Sequence, residues 1–136
     1  MTAQEHREQA YHNEKLAHQL GDQPLEAYDW AITVLFYTVL HFVDAYLLQH
    51  RGLVPKGHTA IRDRKTRQQI PGRNDLVRQH LPQINNAYKM LYSASRCARY
   101  EGAYLGPQSA IYYQNLQNLK DKEFARAREF FRQLGW

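Results

Sequence analysis

The chain has 136 residues, with 18 Lys and Arg against 13 Asp and Glu, and a single cysteine, Cys97. One cysteine excludes an internal disulfide and a cysteine-based zinc site, and it suits a reducing compartment. The length predicts one domain spanning residues 1–136. The N-terminus is polar and charged, unlike a signal peptide, so we expect a cytoplasmic protein.

The charge is unevenly distributed along the chain. Residues 1–50 contain two cations against seven carboxylates, whereas residues 51–78 contain eight cations against Asp63 and Asp75. A basic middle segment favours an anionic partner such as nucleic acid, a nucleotide or an acidic protein. The alternative is a solvated face beside an acidic helix of the same domain.

Two helices are predicted in the first third of the chain. The first spans about Gln4–Leu20 and ends at Gly21. The second spans about Pro24–His50 and is apolar on nearly every side, as is typical of the central helix of a bundle. Its 14 uncharged residues from Trp30 to Val43 are too few for a membrane span of about 20. Two apolar faces predict either two partner helices or one partner helix and a second subunit.

The remaining elements are also predicted to be helical. After a loop over Arg51–Gly57, a short basic helix is predicted over His58–Ile70, because its residues are polar on almost every side. An amphipathic piece follows, and two further helices span about Pro82–Tyr100 and Ser109–Leu134. No strand pattern is found. The fold class predicted is therefore all-α, an up-and-down bundle of four main helices plus a short basic helix.

Known catalytic and cofactor motifs are missing from the sequence. Seven histidines form neither an H-E-x-x-H motif nor a Cys/His cluster, so no metal site is predicted. No Gly-rich phosphate loop, nucleophile elbow or dinucleotide fingerprint is present, which disfavours an ATPase, a serine hydrolase and a dehydrogenase. No cofactor is predicted.

Polar residues inside the apolar helix form the first constellation of interest. Tyr37, His41 and Asp44 fall on nearly the same helical face. Such a line could be a proton relay or a ligand site. The alternative is a buried imidazole whose hydrogen bonds are satisfied by a neighbouring hydroxyl, carboxylate or carbonyl.

The stretch SASRCARYEGAY, residues 93–104, forms the second constellation, where a helix ends in a loop. Arg96, Arg99 and Tyr100 are spaced so that guanidinium groups lie beside a phenol ring, which suits a phosphate with a stacked base. The alternative is that Arg96 pairs with a glutamate of the first helix while Tyr100 lies in the core.

Three segments resemble the HEPN superfamily (higher eukaryotes and prokaryotes nucleotide-binding). LFYTVLHFVDAYLL is similar to its second-helix signature, with Tyr37 and His41 on the pattern's Tyr and His. RGLVPKGHTAI is similar to the stretch that follows, with His58 on its histidine. LYSASRCARYEG is similar to the end of its third helix, and the matching residues are Leu91, Ala98, Arg99, Tyr100 and Glu101. The resemblance extends over about residues 25–135.

This resemblance implies a helical bundle that forms a symmetric homodimer and acts around RNA or nucleotides. Many relatives are metal-independent ribonucleases of toxin–antitoxin, phage-defence or CRISPR-associated systems, with an Arg-x(4–6)-His motif duplicated across the dimer. In that mechanism the arginine stabilises phosphate charge, the histidine handles protons, and the RNA 2′-hydroxyl is the nucleophile.

The chain departs from that motif. Ser95 stands where the family pattern has its arginine, and Arg96 follows one position late. No histidine follows Arg96 or Arg99 at the required spacing, and Tyr104 stands there for Arg99; a tyrosine with a pKa near about 10 is a poor base. Literal matches occur in other helices, in numbers that chance explains, at Arg7–His12, Arg51–His58 and Arg73–His80.

Three hypotheses follow from these observations. The first is a homodimeric protein that binds RNA or a nucleotide, and its predicted binding residues are Arg96, Arg99, Tyr100, Tyr104, His58, Arg62 and Lys65. The second is a metal-independent endoribonuclease that uses Arg96 or Arg99 with His58 or His41. The third is a non-catalytic partner of a nucleotidyltransferase or another defence protein from the same operon. No membrane association is expected.

Overall fold

A computed structural model describes residues 1–101 and 109–136 and confirms an all-α helical bundle. A 3-10 turn over Pro82–Ile84 precedes the fourth helix, and π-helical turns follow the fourth and fifth helices at Cys97–Glu101 and Lys120–Phe124. The elements are α1 (Ala3–Gly21), α2 (Tyr28–Arg51), β1 (Ile61–Arg62), β2 (Gln69–Ile70), α3 (Arg73–His80), α4 (Asn85–Arg96), α5 (Ala110–Leu119) and α6 (Ala125–Gln133).

Helix α1 begins with a capping box. The Thr2 hydroxyl accepts a hydrogen bond from the Glu5 amide at 3.1 Å, and the Glu5 carboxylate accepts one from the Thr2 amide at 2.6 Å. These bonds satisfy donors that have no partner within the helix, and such caps typically contribute about 1 kcal/mol. They hold the first turn of α1 in place, which matters because that turn contains His6.

The predicted start of the second helix at Pro24 is wrong, since α2 begins at Tyr28. Glu26 has a φ of +46°, outside the helical region, and the Ala27 amide donates to the Leu20 carbonyl at 2.7 Å. This bond closes a compact connection on the last turn of α1. The chain reverses direction there before it can enter a helix.

Helix α2 is the centre of the bundle. It packs most extensively against α1, and it also contacts α4, α5 and α6. By length and composition alone α2 could cross a membrane, but most of its apolar residues are buried within the bundle. That burial is compatible with the core helix of a soluble protein.

The C-terminal residues are fastened to α1 and α2. The rings of Phe42 and Phe131 stack with centroids 5.1 Å apart, and Trp136 stacks on Phe131 at 5.9 Å. The buried Arg128 donates to the Glu14 carboxylate at 2.6 Å and to the Trp136 carbonyl at 3.0 Å. A glutamate of the first helix therefore does pair with an arginine, but that arginine is Arg128.

The short basic helix predicted over His58–Ile70 is wrong, because this segment forms a β-hairpin. Ile61 pairs with Ile70, and Arg62 pairs with Gln69. At the tip, the Asp63 carboxylate accepts hydrogen bonds from the amides of Lys65 at 2.7 Å and Thr66 at 3.0 Å. An aspartate that bonds to the backbone just ahead of it favours a turn over a helix.

Candidate functional site

A buried ion pair joins α2 to α3. The Arg73 guanidinium donates two hydrogen bonds to the Asp44 carboxylate, Nε to Oδ1 at 2.7 Å and Nη2 to Oδ2 at 3.0 Å. The two side chains are only 11% and 8% exposed. Burial is the largest single influence and opposes the charge of Arg73, but the hydrogen bonds to Asp44 and the negative charge of that carboxylate together outweigh it, so the pKa of the guanidinium is raised. This bidentate pair anchors one side of the site.

The base of the hairpin segment positions His58 against this pair. The Arg73 amide donates to the Gly57 carbonyl at 2.7 Å, and the Asn74 amide donates to the His58 carbonyl at 3.0 Å. The His58 Nδ1 atom then lies 3.4 Å from Arg73 Nη1. Because a guanidinium only donates, Nδ1 must be the acceptor, and the proton of the neutral ring is on Nε2.

Gly72 makes that close approach possible. A Cβ atom at this position would lie 2.3 Å from the Thr59 carbonyl carbon and 2.6 Å from the His58 carbonyl oxygen. Both are backbone atoms, so no side-chain movement could relieve the overlap. Two passing backbones can therefore meet here only because residue 72 has no side chain.

Arg99 enters the site from the π-helical turn that follows α4. Its Nη1 donates to the Tyr37 hydroxyl at 2.9 Å, and its Nε and Nη2 donate to the Ser95 carbonyl and hydroxyl at 3.3 and 3.2 Å. The guanidinium also lies over the Tyr37 and Tyr100 rings at 5.4 and 5.0 Å from their centroids. Among the side chains of residues 1–100 and 109–136, no carboxylate lies within ion-pair distance of Arg99. Its contacts with those residues are all to neutral groups.

Tyr92 links Arg96 to His58. The Arg96 Nη1 donates to the Tyr92 hydroxyl at 3.2 Å, and its guanidinium lies 5.7 Å from the centre of that ring. On its other side the Tyr92 ring contacts the imidazole of His58, with centroids 5.3 Å apart, and Phe36 at 5.6 Å. Arg96 itself is exposed at the rim.

The imidazole of His58 is surrounded by positive charge. Burial lowers its pKa first, the charges of Arg73, Arg99 and Arg96 lower it further, and Asp44 opposes them. A histidine in this setting is neutral near pH 7. We call Arg73, Arg96, Arg99 and His58 the arginine cluster. The carboxylate of Asp44 compensates the charge of Arg73, so the remaining charge of the cluster is positive and favours an anion.

Two buried polar atoms beside the cluster have no hydrogen-bond partner among the described residues. They are the Tyr88 hydroxyl and the Asn74 Oδ1 atom. Burial raises the pKa of Tyr88, so its hydroxyl stays protonated. Buried polar groups are normally paired, so these two atoms leave hydrogen-bonding capacity unused beside the cluster.

Of the two alternatives considered for Tyr37, His41 and Asp44, the structure shows the satisfied imidazole and not the proton relay, because each of the three side chains bonds to a residue outside α2. Tyr37 accepts from Arg99, and Asp44 accepts from Arg73. His41 bonds to His6 of α1, with the two Nδ1 atoms 3.0 Å apart. The imidazole of His41 is thus satisfied by a second imidazole, outside the arginine cluster.

The other predicted site residues divide into three groups. Arg96, Arg99 and His58 come together with Tyr100, which is 70% exposed, so its predicted alternative position in the core is wrong. Arg62 and Lys65 lie exposed on the hairpin. Tyr104 lies outside the described residues.

Arg73 is the main residue that the sequence analysis missed. It occurs in one of the chance Arg-x(4–6)-His matches, which drew attention away from it. A usable signal was Asp44, because a carboxylate inside an apolar helix requires a buried cation.

A larger groove lies elsewhere, between α4 and α5. It encloses about 580 Å³, and its walls include Ile32, Met90 and Leu119. Lys122 at its rim is accompanied by Asp121 and Glu123, so the groove has no surplus of positive charge. The anion-binding features belong to the arginine cluster.

Among the described residues, no three His, Cys, Asp or Glu side chains are grouped so that they could hold a metal ion. No protein-family model, curated protein or solved structure matches this chain.

Proposed function

We propose that this protein binds RNA or a nucleotide, with a phosphate group held by Arg99, Arg96 and His58. The observation that supports this most directly is the state of Arg99. Its guanidinium is fixed by Tyr37 and Ser95 and forms no ion pair with a carboxylate of residues 1–100 or 109–136. A positioned, uncompensated guanidinium is suited to charge-assisted hydrogen bonds with phosphate oxygens.

The aromatic residues around the cluster suit the rest of a nucleotide. Tyr100 is exposed and lies against the Arg99 guanidinium, so a base could stack on its free face. Base stacking on aromatic side chains contributes about 1–3 kcal/mol per base and tolerates any sequence. The resemblance to HEPN proteins supports the same class of ligand.

Substitution of Arg99 tests this proposal. We expect Arg99→Ala to weaken RNA or nucleotide binding by about tenfold to a hundredfold, because a charged hydrogen bond contributes about 1.5–3 kcal/mol. Affinity measured by fluorescence anisotropy at several salt concentrations should also fall with salt in the wild type.

Two control variants test whether the loss of affinity is specific to the charge of Arg99. Arg126→Ala removes an exposed arginine of α6 and should leave affinity nearly unchanged. Tyr37→Phe removes one partner of Arg99 but keeps its charge, so it should weaken binding less than Arg99→Ala. Equal affinity of Arg99→Ala and the wild type would contradict the proposal.

A metal-independent ribonuclease is the second candidate, favoured by the neutral imidazole of His58 beside the arginines. His58 would take the proton of the RNA 2′-hydroxyl as that oxygen bonds to the adjacent phosphorus and the bond from phosphorus to the 5′-oxygen breaks. The protonated imidazole would return a proton to the leaving 5′-oxygen, while the arginines stabilise the charge that develops on the phosphate. RNA cleavage in the presence of EDTA should then disappear in His58→Gln. Cleavage that persists in both His58→Gln and Arg99→Ala would rule out this mechanism.

We also propose a homodimer, or contact with a protein from the same operon, such as a nucleotidyltransferase. Trp30 on α2 is 56% exposed, and Val34 one turn later is partly exposed, so part of the second apolar face is uncovered. The resemblance further suggests a cytoplasmic role in prokaryotic defence or toxin–antitoxin systems. The neighbouring genes would test that context.

A further inference from the structure

The hairpin of β1 and β2 concentrates positive charge on an exposed projection. Arg62, Arg64, Lys65 and Arg67 occur within six residues, and all four are exposed. The main tertiary contacts of the two strands are with each other. These cations are therefore not needed to cover a core or to hold another element.

The one carboxylate of the hairpin is engaged locally. Asp63 accepts hydrogen bonds from the amides of Thr66 and Lys65, and these bonds lower its pKa. Within the described residues, no ion pair joins any hairpin cation to a carboxylate. Four cations crowded around a single carboxylate leave a surplus of positive charge, and a polyanion would relieve the repulsion between those cations.

The hairpin is fixed to the arginine cluster at its base. The Gly57 and His58 carbonyls accept hydrogen bonds from the amides of Arg73 and Asn74, and the backbones cross tightly at Gly72. Both ends of the projection are therefore tied to residues that form the cluster. Lys65 is seven positions after His58, so the chain between them can reach at most about 23–25 Å.

We propose that the hairpin is a second phosphate-contacting arm, so that the ligand is a single-stranded polynucleotide several phosphates long. This rests on the function proposed above. A strand has a phosphate about every 3.4 Å of helical rise, so several phosphates lie within the reach of the hairpin. The exposed Tyr100 favours an unpaired strand, because a base inside a duplex has no free face for stacking.

The test compares ligands of different length on one hairpin variant. Arg62→Gln, Arg64→Gln and Lys65→Gln are combined. Arg67 is kept because its φ of +57° and the hydrogen bond that its amide donates to the Asp63 carbonyl shape the turn. A matched control combines Lys122→Gln, Arg126→Gln and Arg132→Gln, three exposed cations at and after the second π-helical turn. The probes are a 12-nucleotide single-stranded RNA, a 12-base-pair RNA duplex and adenosine monophosphate. Thermal melting by circular dichroism verifies folding.

We expect the hairpin variant to bind the single strand at least tenfold more weakly, a loss much larger than its loss for the mononucleotide. The slope of log affinity against log salt should fall by about 2, because three phosphate contacts at about 0.7 each are removed. The control variant should change neither quantity appreciably.

Each remaining outcome has a defined meaning. If the hairpin variant loses no more affinity for the single strand than the control does, the proposal that the hairpin contacts phosphates is wrong, while the proposed phosphate site at Arg99 is unaffected. If the duplex binds as tightly as the single strand, the preference for an unpaired strand is wrong. If the wild type binds none of the probes, or if Arg99→Ala binds every probe as tightly as the wild type does, the proposed function itself is wrong.

Discussion

The pair of Asp44 and Arg73 shows how a single charge inside an apolar helix organises its surroundings. Two isolated charges would be costly to bury, but bidentate geometry lets each satisfy the other. The same guanidinium reaches His58, so the ion pair also sets the orientation of the imidazole. Arg73 therefore belongs both to the buried ion pair that stabilises the fold and to the candidate site.

Removing one partner of this pair should strongly destabilise the folded protein. We expect Asp44→Asn or Arg73→Met to lower the free energy of unfolding by about 3–5 kcal/mol, because each leaves an uncompensated polar or charged group buried. The double variant should lose less than the sum of the two single variants in urea denaturation. Arg78→Met, which breaks an exposed pair with Asp75, should cost within about 0.5 kcal/mol. A cost for Arg73→Met no larger than this would contradict the assignment.

The pair of His6 and His41 should make stability depend on pH. Burial lowers the pKa of each below its ordinary value of 6.5; for His41 the charge of His6 adds to this, while Asp44 opposes the shift at both. The unfolded chain therefore binds more protons as pH falls below about 6.5, and the folded state loses stability through that window. At pH above it, the contribution of the neutral pair is fully present.

Removal of one histidine tests this. We expect His6→Gln to reduce the loss of unfolding free energy between about pH 7.5 and 5.5, because one of the shifted groups is gone. His12→Gln, at an exposed position of the same helix, should keep the wild-type pH dependence. If both variants behave alike, the histidine pair is not the source.

At the scale of the element, the hairpin is where sequence reasoning failed. A segment polar on nearly every side has no amphipathic face, so periodicity could not distinguish a helix from a projecting turn. The hairpin forms because of the turn at Asp63 and because the amides of Arg73 and Asn74 donate hydrogen bonds to the carbonyls of Gly57 and His58, which lie far away in the sequence. Local propensity contains no information about such closures.

Gly72 provides a direct test of that closure. We expect Gly72→Ala to destabilise the protein by about 1–3 kcal/mol, since the added methyl group overlaps backbone atoms of residues 58 and 59. Gly57→Ala adds the same group at the opposite end of the segment, where nothing lies within 4 Å, and should be nearly neutral. Equal stability of the two variants in thermal denaturation would mean that the crossing is looser than described.

For the whole molecule, the sequence predicted the bundle and its central helix well. Apolar residues at helical spacing located α1, α2, α4 and the paired α5 and α6 because burial of those faces dominates folding. Spacing and resemblance also singled out Arg96, Arg99 and His58, which lie close together in the structure, while their role in binding stays a prediction. It could not place Arg73 beside them, because that contact depends on how α3 packs against α2.

The oligomeric state is the main prediction at this scale. We expect the wild type to be a dimer in sedimentation experiments and Trp30→Arg to be shifted towards monomer, because an indole buries 150–250 Å² and a charge there would lose its solvation. Met90→Arg, at a similarly exposed position of α4, should remain dimeric. A wild-type monomer, or equal dissociation of both variants, would contradict the proposed dimer.

The closed base of the hairpin segment has a consequence for how this protein could change. The two ends of the segment that contains the hairpin lie side by side, because the Arg73 amide donates a hydrogen bond to the Gly57 carbonyl at 2.7 Å. A doubling of loop length costs only about 0.6 kcal/mol in closure entropy. The bundle can therefore accept a longer, shorter or differently charged hairpin segment without rearranging its core. Evolution or an engineer could exchange this module while the helices stay as they are.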